Sequence, residues 1–181
     1  TCALPIYVVG QGRASIPLSN PHPGWFEQNV DDWTGALKKA LNQLFKKISS
    51  ERIAAIAISN QRETFAQFDK RNKPLRPGSL WLDERSHEEV SILSQELGEK
   101  KIHQITGKPP DVTPCLYRCR WFSVHEPQMW KKMARTAEVH GVLVNYLTNN
   151  WNTSIASADP MGLVRSEEHT SELQSRQYLV C

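Results

Sequence analysis

The sequence predicts an α/β fold, and three observations carry that prediction. Trp33, Ala36, Leu37, Ala40, Leu41, Leu44, Phe45 and Ile48 recur at the spacing of one helix face. Residues 53–58, Ile-Ala-Ala-Ile-Ala-Ile, form a continuous apolar run bounded by polar Glu51-Arg52 and Ser59-Asn60, the pattern of a central strand buried on both faces. Two more β-prone segments then give way to a long helical tract, so strands alternate with helices before a helical insertion.

Residues 7–9 and 13–18 are β-prone and flank Gly10-Gln11-Gly12, which reads as a hairpin tip. Asn20-Pro21-His22-Pro23-Gly24 cannot continue a strand and reads as an ordered loop. Asn29 supplies a helix N-cap, with Asp31 and Asp32 in the first turn where the helix dipole favours acids. After the apolar run, residues 65–69 and 78–82 read as strands joined by the turn Arg71-Asn72-Lys73-Pro74. Ser86 caps a helix through Leu97 that Gly98 closes, and 101–105 form a short helix stopped by Thr106-Gly107. Asp111 or Thr113 opens a helix to about His125, Pro127 opens the next, and 138–147 are helical as well.

The two ends stand apart. Thr1 to Ile6 can be encoded ACG TGT GCT CTT CCG ATC, and Arg165 to Thr170 AGA TCG GAA GAG CAC ACG. With a one-base offset these are reverse complements, for which no protein-level cause exists. Residues 1–6 and 165–181 are therefore read as adapter-like artefact and set aside. The remaining 7–164 are long enough for one ordinary domain with its own core. If fragmentation of DNA set both boundaries, a piece of the fold is expected to be missing at either side.

Charge and cysteines narrow the function classes. The formal net charge is +3, of which Arg165 and Arg176 against Glu167, Glu168 and Glu172 contribute −1, leaving +4 for 7–164. The lysine pairs at 38–39, 46–47 and 131–132 fall on solvated faces of amphipathic helices, so nothing demands a nucleic-acid partner. No apolar run of about 18 residues suggests a membrane span, and no signal peptide is present. Cys115 and Cys119 sit four apart in a predicted helix without a second pair or a nearby histidine, so they read as small core hydrophobes in a reducing, cytoplasmic compartment. His22, His87, His103, His125 and His140 show no metal-ligand spacing.

The chemistry-bearing residues cluster between 60 and 85. Asn60-Gln61-Arg62-Glu63 follow the apolar run, and Trp81 and Asp83 follow a Pro-Gly turn. Polyol recognition needs donors and acceptors aimed at adjacent hydroxyls and an apolar wall for the C–H face. Gln61, Arg62 and Glu63 meet the first need and Trp81 the second. Asp83, paired with Arg85, either joins them or braces the loop.

These residues carry a family resemblance. Pro21 to Trp33, Ser59-Asn60-Gln61-Arg62-Glu63-Thr64, Pro77 to Arg85, Ile105-Thr106-Gly107, His125-Glu126-Pro127 and Ser154 to Leu163 occur in the order seen in the first lobe of the FGGY carbohydrate kinases. The resemblance implies part of the N-terminal actin-like, ribonuclease-H-like lobe of a two-lobed enzyme. It implies phosphoryl transfer from ATP with Mg²⁺ to a hydroxyl of a small sugar or polyol, with substrate contacts at Gln61, Arg62, Glu63, Trp81 and Asp83. The Gln-Arg-Glu-Thr segment looks like glycerol kinases. The His-Pro-Gly-Trp loop, residues 80–85 and Ser157-Ala158-Asp159 look more like xylulose kinases. Where glycerol kinases offer a substrate-contacting aromatic, this chain has Val112 and Thr113. A xylulose-like ketose is thus the leading expectation, beside glycerol, another polyol, or a non-catalytic sugar-binding protein on the same scaffold. The family's phosphate-binding hairpin and catalytic carboxylate are expected outside 7–164, so the chain by itself is expected to be inactive; a homo-oligomer is left open for the full-length protein.

Overall fold

The structure, a computed structural model, describes residues 7–164; the adapter-like ends lie outside them. Among these, four short strands form one sheet: β1 (Glu27–Gln28), β2 (Phe65–Phe68), β3 (Gly78–Ser79) and β4 (Arg135–Glu138), in the order β1-β3-β2-β4 with antiparallel neighbours. Helix α1 (Val30–Leu44) separates β1 from β2. Between β3 and β4 lies the helical insertion: α2 (His87–Leu97), α3 (Glu99–Thr106), α4 (Cys115–His125) and α5 (Pro127–Lys132). Helices α6 (Val139–Thr148) and α7 (Ile155–Ala158) follow β4. The α/β expectation stands.

The cores explain the layering. Side chains alternate across a strand, and β2 is buried at all four positions. Ala66 and Phe68 join Val30 and Trp33 of α1 and Val139 and Val142 of α6 on one face. Phe65 joins Cys115, Cys119 and Phe122 of α4 with Met161 on the other. Leu93, Ile102 and Tyr117 form a third cluster that binds α2 and α3 to α4.

Three expectations are corrected. The strand covered on both faces is β2; residues 53–58 are extended, outside any ladder among the described residues and largely exposed, with Ile56 at 57%. An apolar run identifies a segment that needs covering, and covering requires partners on its edges and faces. Residues 7–9 and 13–18 form no hairpin. Instead the chain lies along α1, where Arg13 N–H donates to Gln43 Oε1 at 2.9 Å and Gln43 Nε2 donates to Arg13 O at 2.9 Å. A Cβ on Gly12 would come within 1.9 Å of Ala40 O, so only glycine permits this approach. The third correction shortens the strand expected over 78–82: it ends at Ser79, because Asp83 N–H donates to Leu80 O at 3.0 Å and turns the chain at Trp81.

Most helix signals hold, with two corrections: Ser86 precedes α2 without a side-chain cap bond, and α4 opens after Pro114 rather than at Asp111 or Thr113. Asn29 caps α1 through its side chain, with Asp31 and Asp32 in the first turn, though the helix stops at Leu44. Pro127 stands at the start of α5. Gly98 and Gly107 adopt positive φ at the ends of α2 and α3. Strand β4 was missed because Arg-Thr-Ala-Glu carries no apolar alternation. Its extended form comes from pairing with β2, Phe65 opposite Glu138 through Phe68 opposite Arg135.

Two glycines make opposite predictions. A Cβ on Gly78 would lie 2.7 Å from the ring of Trp33, which is buried. Gly78→Ala is expected to cost about 1–3 kcal/mol by overpacking and to lower the thermal midpoint by several degrees. Gly35, inside α1 with nothing within 4 Å of its built Cβ, should gain about 0.5–1 kcal/mol as alanine. Thermal denaturation of both variants beside wild type checks the opposite signs.

Candidate functional site

The polar segment 60–64 joins the exposed apolar run to β2. Gln61 is half-buried, and its Nε2 donates to Gln28 Oε1 at 3.1 Å. The same oxygen accepts from Trp33 Nε1 at 3.0 Å, so one amide anchors both α1 and Gln61. On the other side Ser157 Oγ donates to Asn60 Oδ1 at 3.3 Å, which ties the Ser154 to Leu163 motif to this segment.

Arg62 is exposed and makes no hydrogen bond or ion pair among the described residues. Glu63 takes a left-handed backbone, φ 57°, uncommon for a residue with a Cβ. Its carbonyl accepts from Arg118 Nη2 at 2.5 Å and from Cys115 Sγ at 3.3 Å, which holds the conformation. Burial raises the pKa of the Glu63 carboxyl above the ordinary glutamate value, while Arg62, Arg118 and Lys108 pull it back. Lys108 is itself paired with Asp159 at 2.6 Å, which brings residues of two distant motifs to the same neighbourhood.

Trp81 is joined to this segment through its backbone. Its N–H donates to the hydroxyl of Thr64, a fully buried residue, at 3.1 Å, while the Trp81 residue remains 46% exposed. An exposed indole is an apolar surface of the kind that can cover the C–H face of a ring. Glu63 and Trp81 are thereby brought together.

Asp83 is placed differently. It is fully buried, and its carboxylate accepts from Arg85 Nε at 2.9 and 3.0 Å, from Arg85 Nη2 at 2.7 Å and from Ser79 Oγ at 3.1 Å. With both oxygens occupied and no solvent access, it braces the loop that carries Trp81. Arg85 also donates to Glu27 at 2.6 Å and lies 4.0 Å from the Trp25 ring centroid. The His-Pro-Gly-Trp motif therefore serves this brace: Trp25 covers Arg85, His22 packs edge-on against Trp25, and Glu84 N–H donates to Gly24 O at 2.8 Å.

Sequence reasoning missed Arg118. It is fully buried in α4, surrounded by residues that read as apolar, and no spacing rule marks a lone arginine there. Its guanidinium reaches Glu63 O, Thr113 O, Leu80 O and Ser79 Oγ. The one available signal is a cation placed inside a helix that ought to bury that face, since a buried charge needs partners.

Elsewhere a cavity of about 520 Å³ runs along the outer edge of β4, lined by Arg135, Thr136, Trp151, Asn152 and Thr153 among others. It includes none of the five expected contacts. Cys115 and Cys119 are free, buried thiols whose pKa burial pushes well up, so they stay protonated. Among the described residues no cluster of three His, Cys, Asp or Glu could hold a metal, and no helix is long and apolar enough to cross a membrane.

Comparison with known proteins places this geometry. A glycerol kinase of Thermococcus gammatolerans is 31% identical over 144 residues, which are 77% of this chain and 29% of that protein. A xylulose kinase of Lactococcus lactis is 27% identical over 147 residues, 80% of this chain and 29% of that protein. Among solved structures, the xylulose kinase from Rhodospirillum rubrum superposes with a TM-score of 0.86 at 24% identity, over 92% of this chain and 35% of that one. The chain thus spans under a third of the length of these two relatives. The profile of the FGGY family of carbohydrate kinases, N-terminal domain, matches residues 6–173, and the chain belongs to that family.

Proposed function

We propose that the full-length protein transfers a phosphoryl group from ATP to a hydroxyl of a xylulose-like ketose, and that residues 60–64 and 81 form the sugar-facing part of the site. The carrying observation is the bond from Trp81 N–H to Thr64 Oγ1, which ties the backbone of the half-exposed Trp81 to the end of the segment that carries Arg62 and Glu63. Gln61, Arg62 and Glu63 address hydroxyls, Trp81 covers the C–H face, and Asp83 acts from behind by holding the Trp81 loop. A glycerol or polyol kinase is the second reading, favoured by Gln61-Arg62-Glu63-Thr64 and by the 31% identical glycerol kinase.

Phosphoryl transfer depends on positioning and on neutralising charge around the transferred group. The described residues offer the first for the acceptor. Among the described residues no cluster of three His, Cys, Asp or Glu stands together, so in this reading the nucleotide and its Mg²⁺, which would neutralise charge on the transferred group, are held mainly by other parts of the protein. A carboxylate that accepts the hydroxyl proton and a phosphate-binding loop belong, in this reading, to other parts of a cytoplasmic enzyme. The 181-residue chain alone is accordingly expected to transfer no phosphate from ATP to xylulose or glycerol in a coupled assay.

In the full-length protein Arg62→Ala removes charge-assisted hydrogen bonding of about 1.5–3 kcal/mol. The expected result is a fall of about tenfold or more in kcat/KM for the sugar, with KM for ATP unchanged. Steady-state kinetics over a panel of ketoses and polyols checks this and identifies the substrate.

Glu63 makes a separate prediction. Its folded pKa is raised, mainly by burial, so the folded state holds the proton to higher pH than the unfolded chain does. The stability linked to that proton is fully present below the unfolded value and is lost as pH rises through the folded one. Glu63→Gln, which cannot ionise, should melt above wild type at pH 7, and the difference should vanish below about pH 4. The same variant should bind sugar more weakly at pH 7. Melting curves across pH beside a sugar titration test both parts.

A further inference from the structure

We infer that Arg118 is a positioning residue for the sugar, setting the mutual placement of Glu63, Trp81 and the Val112–Thr113 stretch. The inference rests on the functional reading above and adds a residue that contacts no substrate. One guanidinium serves three separate chain segments. Nη2 donates to Glu63 O at 2.5 Å and Thr113 O at 2.7 Å, and Nη1 donates to Ser79 Oγ at 3.0 Å and to Leu80 O. Two acceptors on one nitrogen bring residues 63 and 113 within a few ångströms of each other, about the span of two hydrogen bonds. Leu80 carries Trp81 as its next residue.

These four partners are neutral oxygens, and a fifth, the Cys115 Sγ at 3.8 Å from Nη2, is a neutral thiol. No carboxylate lies within ion-pair distance of Arg118 among the described residues, although the side chain is fully buried. Burying an arginine without a counter-ion is costly, and an apolar residue would fill α4 without that cost. What arginine adds is a planar fork with fixed donor directions. Three of the acceptors it selects are main-chain oxygens, those of Glu63, of Leu80 next to Trp81, and of Thr113, and the fourth is the Ser79 hydroxyl. The fork also grips the left-handed Glu63, whose φ of 57° would otherwise relax. Its charge acts with those of Arg62 and Lys108 to lower the Glu63 pKa against the larger rise that burial causes.

Lysine keeps the charge but presents donors from a single point, so it cannot span the four acceptors. In the full-length protein, Arg118→Lys is expected to raise KM for the sugar about tenfold or more while KM for ATP stays within about twofold. Ser79→Ala, a milder change that removes one acceptor of the fork, should raise KM for the sugar about two- to fivefold with the same selectivity, and it decides the matter if the lysine variant does not fold. A purely structural arginine gives the opposite pattern: a lower melting temperature and lower kcat from a smaller active fraction, with both KM values unchanged. That pattern in an active wild-type background overturns the inference alone. A wild-type protein that phosphorylates no ketose or polyol overturns the functional reading, and this inference with it.

Discussion

Everything around the candidate site depends on the buried ion network centred on Arg85. Its guanidinium joins Asp83 of the loop after β3 to Glu27 of β1, under the indole of Trp25. Glu27 is also bonded by Arg76, which reaches Glu126 at 3.3 Å and lies 4.2 Å from the Phe122 ring centroid. Ser79 links the network to Arg118, donating to Asp83 and accepting from Arg118. Counted together, two guanidiniums, Arg76 and Arg85, meet three carboxylates, those of Glu27, Asp83 and the partly exposed Glu126. Removing Arg85 strands the fully buried Asp83 carboxylate, a loss of about 3–5 kcal/mol, whereas the hydrophobic clusters on either side would tolerate a volume-conserving exchange. The network therefore specifies which segments meet, while the apolar cores supply the compaction.

This division explains what could and could not be read in the sequence. The elements ending at capping residues were legible, because Asn29, Gly98, Gly107 and Pro127 act locally. The polar cluster Gln61-Arg62-Glu63 was legible as a site candidate because hydroxyl-binding side chains interrupt an otherwise apolar stretch. Asp83 could be read two ways, and only the three-dimensional pairing with Arg85 and Ser79 distinguishes a brace from a contact. Residues 53–58 and β4 mark the limit. One is apolar with no ladder among the described residues, the other polar and yet paired over four residues with β2, since strand formation is decided by partners more than by propensity.

Arg118 and Cys115 illustrate how function can rest on residues with no functional signature. Both are on α4, three apart and so on one face, and both reach the Glu63 carbonyl, one as a cationic donor and one as a thiol. The thiol remains protonated because burial pushes its pKa up, which preserves it as a donor. A carbonyl bonded from two sides holds its peptide plane, and a held plane fixes where the next groups project. A left-handed glutamate at the head of β2 is an arrangement that local energetics oppose by about 1–3 kcal/mol; it persists because the surrounding donors over-determine it.

The electrostatics of Glu63 complete the argument. Desolvation alone would favour the protonated acid, a donor, and would change what the residue can offer a hydroxyl. Arg62, Arg118 and Lys108 oppose that tendency in decreasing order, and they come from three different parts of the chain: the residue next door, helix α4, and the loop after α3. Lys108 is paired with Asp159, whereas Arg118 meets neutral oxygens and a neutral thiol with no carboxylate beside it, inside the protein where water screens charge least. Burial and the three cations thus act on the Glu63 carboxyl in opposite directions, with burial the larger influence, so the acceptor proposed for the sugar depends on charges drawn from three parts of the chain.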